Sequence, residues 1–435
     1  MGEGSLKRAA SPSRPISPPP LKRKVESTLT KKAAASFFTP ASQKNPEPFT
    51  WRIVKNSLVV GKYSIGAEQK QSSTKPKVAA FDFDSTLVST ASGNTFARNS
   101  ADWKWWHASV PSKLKRLNSD GYHVVIMSNQ KKVSLKRDMK GPQGDSKSLT
   151  NFKERVSAVM KQLDIPISVY AATEDDDYRK PRAGMWREFV DDCDFDVSGV
   201  DLSASVFVGD AAGRPADHSQ VDRGFAVNVG VPFKTPEEFF LDAPPESLVE
   251  SFNPSAYIKP EPTNDAPAPF SRQSPLELVI FCGSPSAGKS TFYWDYLEPL
   301  KYERVNQDIL KTRQKCIKVA KEHLAAGRSV VVDNTNADPE TRSQWVDIAE
   351  EFKIPIRCVY FSAPPTVCRH NNAVRAANKG LNPESRTLLP GIAFGDFLRR
   401  FKEPTMSEGF QEIVRVDFQF RGDDAAQQIW KQYWI

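Results

Sequence analysis

The sequence predicts an α/β protein of two domains, joined by a proline-rich linker and preceded by a disordered basic tail. Three observations carry that expectation. At 435 residues the chain is long for a single hydrophobic core. Short apolar runs of strand character alternate with helix-like stretches, in two separate blocks. Between the blocks, residues 242–275 hold eight prolines.

Residues 1–48 are rich in Ser, Pro, Lys and Ala and too poor in apolar residues to fold. Within residues 1–50, nine Lys/Arg face three Asp/Glu, so six of the eight net positive charges sit there. Such a tail suits anionic partners, nucleic acid among them, or a targeting or solubilising arm. "PPPLKRK" reads as a nuclear localisation signal, whereas Glu3 and the prolines argue against an amphipathic mitochondrial presequence. "AAASFFTP" places Phe37 and Phe38 where they could dock on a partner protein. No apolar run approaches the length of a membrane span and no secretory h-region is present, so no membrane partner is expected. The five cysteines make no C-x-x-C pair and the five histidines no ligand-spaced cluster, which predicts a reducing compartment and no structural zinc.

The first block, residues 49–242, has strand-like runs "VAAFDFD", "YHVVIMSN", "ISVYAAT", "SVFVGD" and "FAVNVG". Between them lie helix-like "VPSKLKRLNSDG", "LTNFKERVSAVMKQLD" and "GMWREFVDDC", which predicts an open parallel sheet covered by helices. Residues 243–275 read as a semi-extended linker, and "IKPE" within it fits a lysine-modification pattern too short to carry weight. The second block, residues 276–435, repeats the alternation with "LELVIFCG", "YERVNQD", "SVVVDNTN" and "IPIRCVYFS" as strands.

In the first block the predicted strands end in residues suited to phosphate chemistry. Asp82 and Asp84, two apart on an extended run, project from one face and repel unless a proton or cation lies between them. Ser128 and Asn129 end the next strand, Asp210 ends "SVFVG", and Arg179 and Lys180 stand in "YRKPRAGMW". Ligands of open parallel sheets bind beyond the carboxyl ends of the strands, so these groups can converge. The chemistry then assigns roles. Asp82 is the nucleophile towards phosphorus, and Asp84 the acid that protonates the leaving oxygen and then activates water. Asp82 and Asp210, with Asp84 counted beside them, would hold Mg²⁺. Ser128 and Lys180 would bind the phosphoryl oxygens. Either Asp217 or Asp222 could be a further acid of the metal site.

In the second block, "GSPSAGKS" follows an apolar strand and precedes helix-compatible "STFYWDYL", the context of a P-loop. Gly283, Ser284, Ser286, Ala287, Gly288 and Thr291 would cradle ATP, with Lys289 on its outer phosphates and Ser290 on Mg²⁺. No N-K-x-D motif is present, which disfavours a GTPase. Asp308 ends the next strand, where a kinase places its base; a helix N-cap is the lesser alternative for an Asp there. Asp333 could serve the metal's water shell. Arg369 and Arg375 of "RHNNAVRAANKG" could meet the transferring phosphate as a lid would.

"DFDST" matches the D-x-D-x-[TV] motif and so resembles the haloacid-dehalogenase superfamily of aspartate-nucleophile phosphatases, with Ser85 where many members carry Gly. The chain from about Phe49 onward resembles, more specifically, the eukaryotic bifunctional polynucleotide 5′-kinase/3′-phosphatases. "FDFDSTL", "MSNQ", "YRKPRAGMW", "VFVGDAAGRPA", "VPFKTPEEFFL", "GSPSAGKSTF", "VVVDNTN", "RHNN" and "FKEPTMSEGF" carry the match. The resemblance implies a haloacid-dehalogenase-like Rossmannoid phosphatase fused to a P-loop kinase. Its activities would be removal of 3′-phosphates and ATP-dependent phosphorylation of 5′-hydroxyls at DNA nicks, gaps and double-strand breaks. By position Asp82, Asp84, Lys180 and Asp308 would be catalytic, and Arg375 would lie in the lid. The resemblance adds Arg179 as a phosphate contact, with Asn129 counted beside Ser128 as a substrate contact. A nuclear monomer is expected, with repair proteins docking on the tail, and the tail leaves no room for a forkhead-associated domain. Gln307 stands where Arg is usual in the family. A bifunctional kinase/phosphatase of small molecules is the rival reading.

Overall fold

The computed structural model describes residues 49–64, 75–136, 144–195, 199–246, 252–258 and 269–435. The tail, with its localisation and docking motifs, lies outside these residues, as does most of "IKPE". No helix among the described residues is long and apolar enough to cross a membrane.

The first domain is built on a seven-stranded sheet. Its strands are β1 (Phe49–Val54), β2 (Leu58–Tyr63), β3 (Lys77–Phe81), β6 (Tyr122–Asn129), β7 (Ile167–Ala172), β8 (Val206–Val208) and β9 (Phe233–Lys234), while β4 (Val88–Ser89) and β5 (Lys104–Trp105) form a separate small ladder. The order is β1-β2-β7-β6-β3-β8-β9. β6, β3, β8 and β9 run parallel to their neighbours, and the β1–β2 hairpin adds an antiparallel edge through β2–β7. The expected parallel sheet is therefore a mixed one. A hairpin needs only a tight turn, which Lys55 and Asn56 provide with φ of +47° and +53°.

Alternation along β3 sends Ala79 and Phe81 to one face and Val78 and Ala80 to the other. Helices Val110–Ser119 and Lys147–Leu163 cover the first face, and helices Gly184–Asp192 and Val221–Val229 the second. The last of these corrects an expectation, because "FAVNVG" is the end of a helix rather than a strand. Its period-2 valines mislead: Asp222, Phe225, Ala226 and Val229 share a helical face, while Val227 is 58% exposed. Gly230, at φ +87°, closes the helix in the left-handed conformation.

The second domain has a five-stranded parallel sheet of order β11-β12-β10-β13-β14. These are β10 (Leu278–Gly283), β11 (Glu303–Val305), β12 (Val330–Val332), β13 (Ile356–Phe361) and β14 (Glu412–Val416). Helices Arg313–Ala325 and Pro339–Glu351 pack on one face, and Pro365–Ala377 and Gly391–Arg400 on the other.

Three described residues of the linker pack against the second domain. Phe252 is buried with Val367, Trp430 and Trp434, Phe270 is buried against Phe281, Phe292 and Tyr302, and Ile258 bridges to Phe420. Apolar anchors spaced among the prolines override the semi-extended reading there.

Candidate active sites

In the first domain the functional side chains gather beyond the carboxyl ends of β3, β6, β7 and β8. Asp82 follows β3, and Lys180 sits in the turn between β7 and the helix Gly184–Asp192. Its ammonium is almost fully buried, 2.8 Å from Asp82 Oδ1 and 2.7 Å from Asp222 Oδ1. Asp210, just after β8, completes a group with Asp82 and Asp222 whose ligand oxygens lie within 4.8 Å of one another. Three carboxylates thus face one ammonium. Burial, with Asp82 and Asp222 adding to it, raises the Asp210 carboxyl to about 8. Burial likewise raises Asp222, although Lys180 opposes it. For Lys180 burial alone would lower the ammonium, but Asp222 and Asp82 hold it above its ordinary value. A hard divalent cation fits this donor set, because it supplies the missing positive charge to clustered oxygen ligands.

The choice between the two spare acids falls to Asp222. Asp217 instead accepts from Arg214 Nε at 3.0 Å and from the backbone N–H groups of Ala212 and Arg214. Asp84 is not part of the carboxylate group formed by Asp82, Asp210 and Asp222. Its carboxylate faces Arg155, at 2.8 and 3.4 Å, and Gln130 Nε2, at 2.7 Å, away from the cluster. Gln130 also donates to the Oγ of buried Ser128 at 3.0 Å. The Asn129 amide donates to Lys180 O at 3.1 Å and accepts from Lys180 N at 2.9 Å, so it fixes the lysine's backbone. Arg179 keeps a buried Nη1 with no hydrogen-bond partner among the described residues, and burial lowers its pKa, as suits a cation awaiting an anion. Sequence reasoning missed Arg155, which looks like one more basic residue of an amphipathic helix. It left Gln130 unassigned within "MSNQ".

In the second domain the P-loop follows β10. Gly288 has φ +96°, open to glycine without strain, and delivers the chain into the helix Lys289–Phe292. Lys289 is buried, and its ammonium donates to Gly283 O at 3.0 Å and Ser284 O at 2.6 Å. Burial lowers its pKa, with Asp333 opposing. Ser290 Oγ donates to Asp333 Oδ2 at 2.9 Å, the pairing expected of a hydroxyl that holds a cation beside a strand-end acid. Arg375 Nη2 donates to Ser286 Oγ at 3.1 Å, while its buried Nε has no partner among the described residues. Arg369 is exposed and does not line the cavity, because it leaves the opposite side of the helix Pro365–Ala377.

A cavity of about 1370 Å³ opens over the loop, lined among others by Ala287, Thr291, Arg304, Gln307, Asp308 and Arg386. Asp308 does not cap its helix: Asn306 does, accepting from Asp308 N at 2.9 Å and Ile309 N at 3.3 Å. The Asp308 carboxylate is 70% exposed and pairs with Arg386, whose Nη2 also reaches Ser290 Oγ at 3.4 Å. Glu384 ties this edge together. Burial would raise it, but Arg304, Arg386 and Trp294 bring it down to about 2. Arg304, Glu384 and Arg386 were invisible to motif reading because they lie outside any motif.

A family model described as polynucleotide kinase 3 phosphatase matches residues 77–240, and one described as an AAA domain matches residues 311–404. The bifunctional polynucleotide phosphatase/kinase of Schizosaccharomyces pombe is 43% identical over 371 residues, covering 85% of this chain and 84% of that one. The polynucleotide 3′-phosphatase of Arabidopsis thaliana is 37% identical over 177 residues, 38% of this chain and 24% of that one. The polynucleotide 3′-phosphatase of Saccharomyces cerevisiae is 29% identical over 213 residues, 38% of this chain and 87% of that one.

Proposed function

This chain belongs to the family of bifunctional polynucleotide phosphatase/kinases, and from that premise we propose that it restores broken DNA ends to a joinable state. It is an enzyme with two activities, a 3′-phosphatase in the first domain and an ATP-dependent 5′-hydroxyl kinase in the second. The observation that carries the site assignment is the gathering of Asp82, Asp210 and Asp222 around Lys180.

At the phosphatase site Asp82 attacks the 3′-phosphate and becomes an aspartyl-phosphate as the 3′-oxygen leaves. Asp84, oriented by Arg155 and Gln130, gives that oxygen its proton. In the second step Asp84 takes a proton from water, which attacks the aspartyl-phosphate and releases inorganic phosphate and free Asp82. Lys180, Ser128 and Arg179 hold the phosphoryl oxygens. Mg²⁺ bound by Asp82, Asp210 and Asp222 would neutralise charge on the phosphoryl group.

At the kinase site Asp308 takes the proton of the 5′-hydroxyl, while Lys289 and Arg375 neutralise the phosphates of ATP. Ser290, its hydroxyl fixed by Asp333, would hold the nucleotide's Mg²⁺. The cavity exceeds the roughly 300–1,000 Å³ usual for one small ligand, which leaves room for ATP and an acceptor end together. Action in the nucleus and docking of repair proteins through residues 1–48 belong to the same reading, supported by the basic composition of that tail. So does a monomeric state.

Asp82→Asn should abolish 3′-phosphatase activity with 5′-kinase activity nearly intact, and Lys289→Ala should do the reverse. Loss of both activities from either change in a folded protein would contradict two independent sites.

A further inference from the structure

We propose that residues 431–435, which follow the last helix of the kinase domain, are a positioning segment of the phosphatase site. The proposal rests on the roles given to Lys180 and Asp222 above.

The contact is made by backbone, and it lands on the two pieces of chain that carry those residues. Asn228 belongs to the helix Val221–Val229, which begins at the turn bearing Asp222. Its Nδ2 donates to Tyr433 O at 2.7 Å and to Pro181 O at 2.8 Å, and its Oδ1 accepts from Tyr433 N at 2.8 Å. One amide therefore joins three strangers in sequence: the residue after Lys180, the helix of Asp222 and the kinase domain's final segment. Arg182 adds a second tie, donating from Nε to Trp434 O at 3.3 Å. Gly224 marks how tightly the three pieces converge. A Cβ there would lie 3.1 Å from both Pro181 Cβ and Tyr433 Cβ.

The segment is itself anchored. Trp430 and Trp434 are buried among Phe252, Val367 and Val374. Trp430 Nε1 donates to Asn371 Oδ1 at 2.8 Å, and Asn371 Nδ2 donates to the P-loop carbonyl of Ser286 at 3.0 Å. A fixed body therefore abuts the turn of Lys180 through Asn228 and Arg182. The ammonium of Lys180 must reach two carboxylates at once, so a small drift of the turn breaks the arrangement the phosphoryl group needs.

The test is steady-state kinetics on the full chain, with unfolding curves confirming the fold. Asn228→Ala removes all three hydrogen bonds at a half-buried position. It should lower phosphatase kcat about tenfold or more, with KM for a 3′-phosphate oligonucleotide and kinase kcat little changed. Removing residues 433–435, which also takes the Arg182–Trp434 tie, should lower phosphatase kcat at least as far, and the combined variant should lose no more than the truncation, because both changes act on the same seam. Unchanged phosphatase kcat in folded Asn228→Ala, or losses that multiply in the combined variant, would overturn the proposal. A Lys180→Met variant separates the two levels. If it is inactive while Asn228→Ala is normal, the positioning role alone fails. If it retains phosphatase activity, the site assignment fails and takes this proposal with it.

Discussion

Lys180→Met removes the ammonium that pairs with Asp82 and Asp222 in the phosphatase acid cluster while keeping an unbranched apolar chain of similar length. The ammonium it deletes is 1% exposed and touches Asp82 and Asp222 at 2.8 and 2.7 Å. Taking one partner from a buried ion pair typically destabilises by about 3–5 kcal/mol. For a domain of this size each kcal/mol is worth about 2–4 °C, so the melting temperature should fall by roughly 6–20 °C without divalent cations. Mg²⁺ bound by these carboxylates would return positive charge to the same oxygens, and binding at a hundred times Kd would contribute about 2.7 kcal/mol. The variant should therefore recover much of the loss in saturating Mg²⁺ and respond to the ion more than the parent does. Phosphatase turnover should fall about 10²-fold or more in either case, because a preorganised charge facing the phosphoryl group is gone. The assay is thermal unfolding with and without Mg²⁺, beside both activities. A variant as stable as the parent and indifferent to Mg²⁺ would refute the reasoning.

His370 is fully buried and its imidazole is lowered to about 4 by burial, so the unfolded chain takes up a proton near 6.5 that the folded chain refuses. Stability should be complete above pH 6.5 and fall between 6.5 and 4 by up to about 1.4 kcal/mol per pH unit from this group, and His370→Gln should flatten that slope in denaturant titrations. Asp308→Asn should leave its helix intact, since Asn306 supplies the cap, yet lower kinase turnover about 10²-fold with ATP affinity little changed; near-normal turnover would remove Asp308 as base. Beryllium fluoride with Mg²⁺ should inhibit the phosphatase by mimicking phosphorylated Asp82, and Asp82→Asn should no longer bind it in calorimetry.

What the sequence could disclose was decided by the range of the signal. Asp82, Ser128, Asp210 and the P-loop were readable because each closes an apolar run, and strand ends of a parallel sheet face one ligand region. Asp222 could only be offered beside Asp217, since both follow Asp210 closely in sequence and only tertiary packing turns one inward. Arg155 and Arg386 were unreadable for a related reason: their partners, Asp84 and Asp308, are 71 and 78 residues away. The helix Val221–Val229 was misread because three residues spaced by two imitate a strand, and the buried face that decides the matter spans two helical turns. The packed linker shows the opposite case. There the prolines dominated the composition, while a few aromatic side chains decided the structure.

The central claim is that both sites act on polynucleotide ends rather than on small phosphate esters. A polymer presents further phosphates to the protein, and neutralising each one releases counterions, so affinity falls with log salt by about 0.7 per contact on single strands. The decisive measurement is kcat/KM for a 3′-phosphate oligonucleotide against a nucleoside 3′-monophosphate across a salt series, with residues 1–48 present and removed. The oligonucleotide should be hydrolysed far better in both forms of the protein, with an advantage that shrinks steeply as salt rises. Equal rates on the two substrates with a flat salt response would contradict the account and place the enzyme among small-molecule phosphatases.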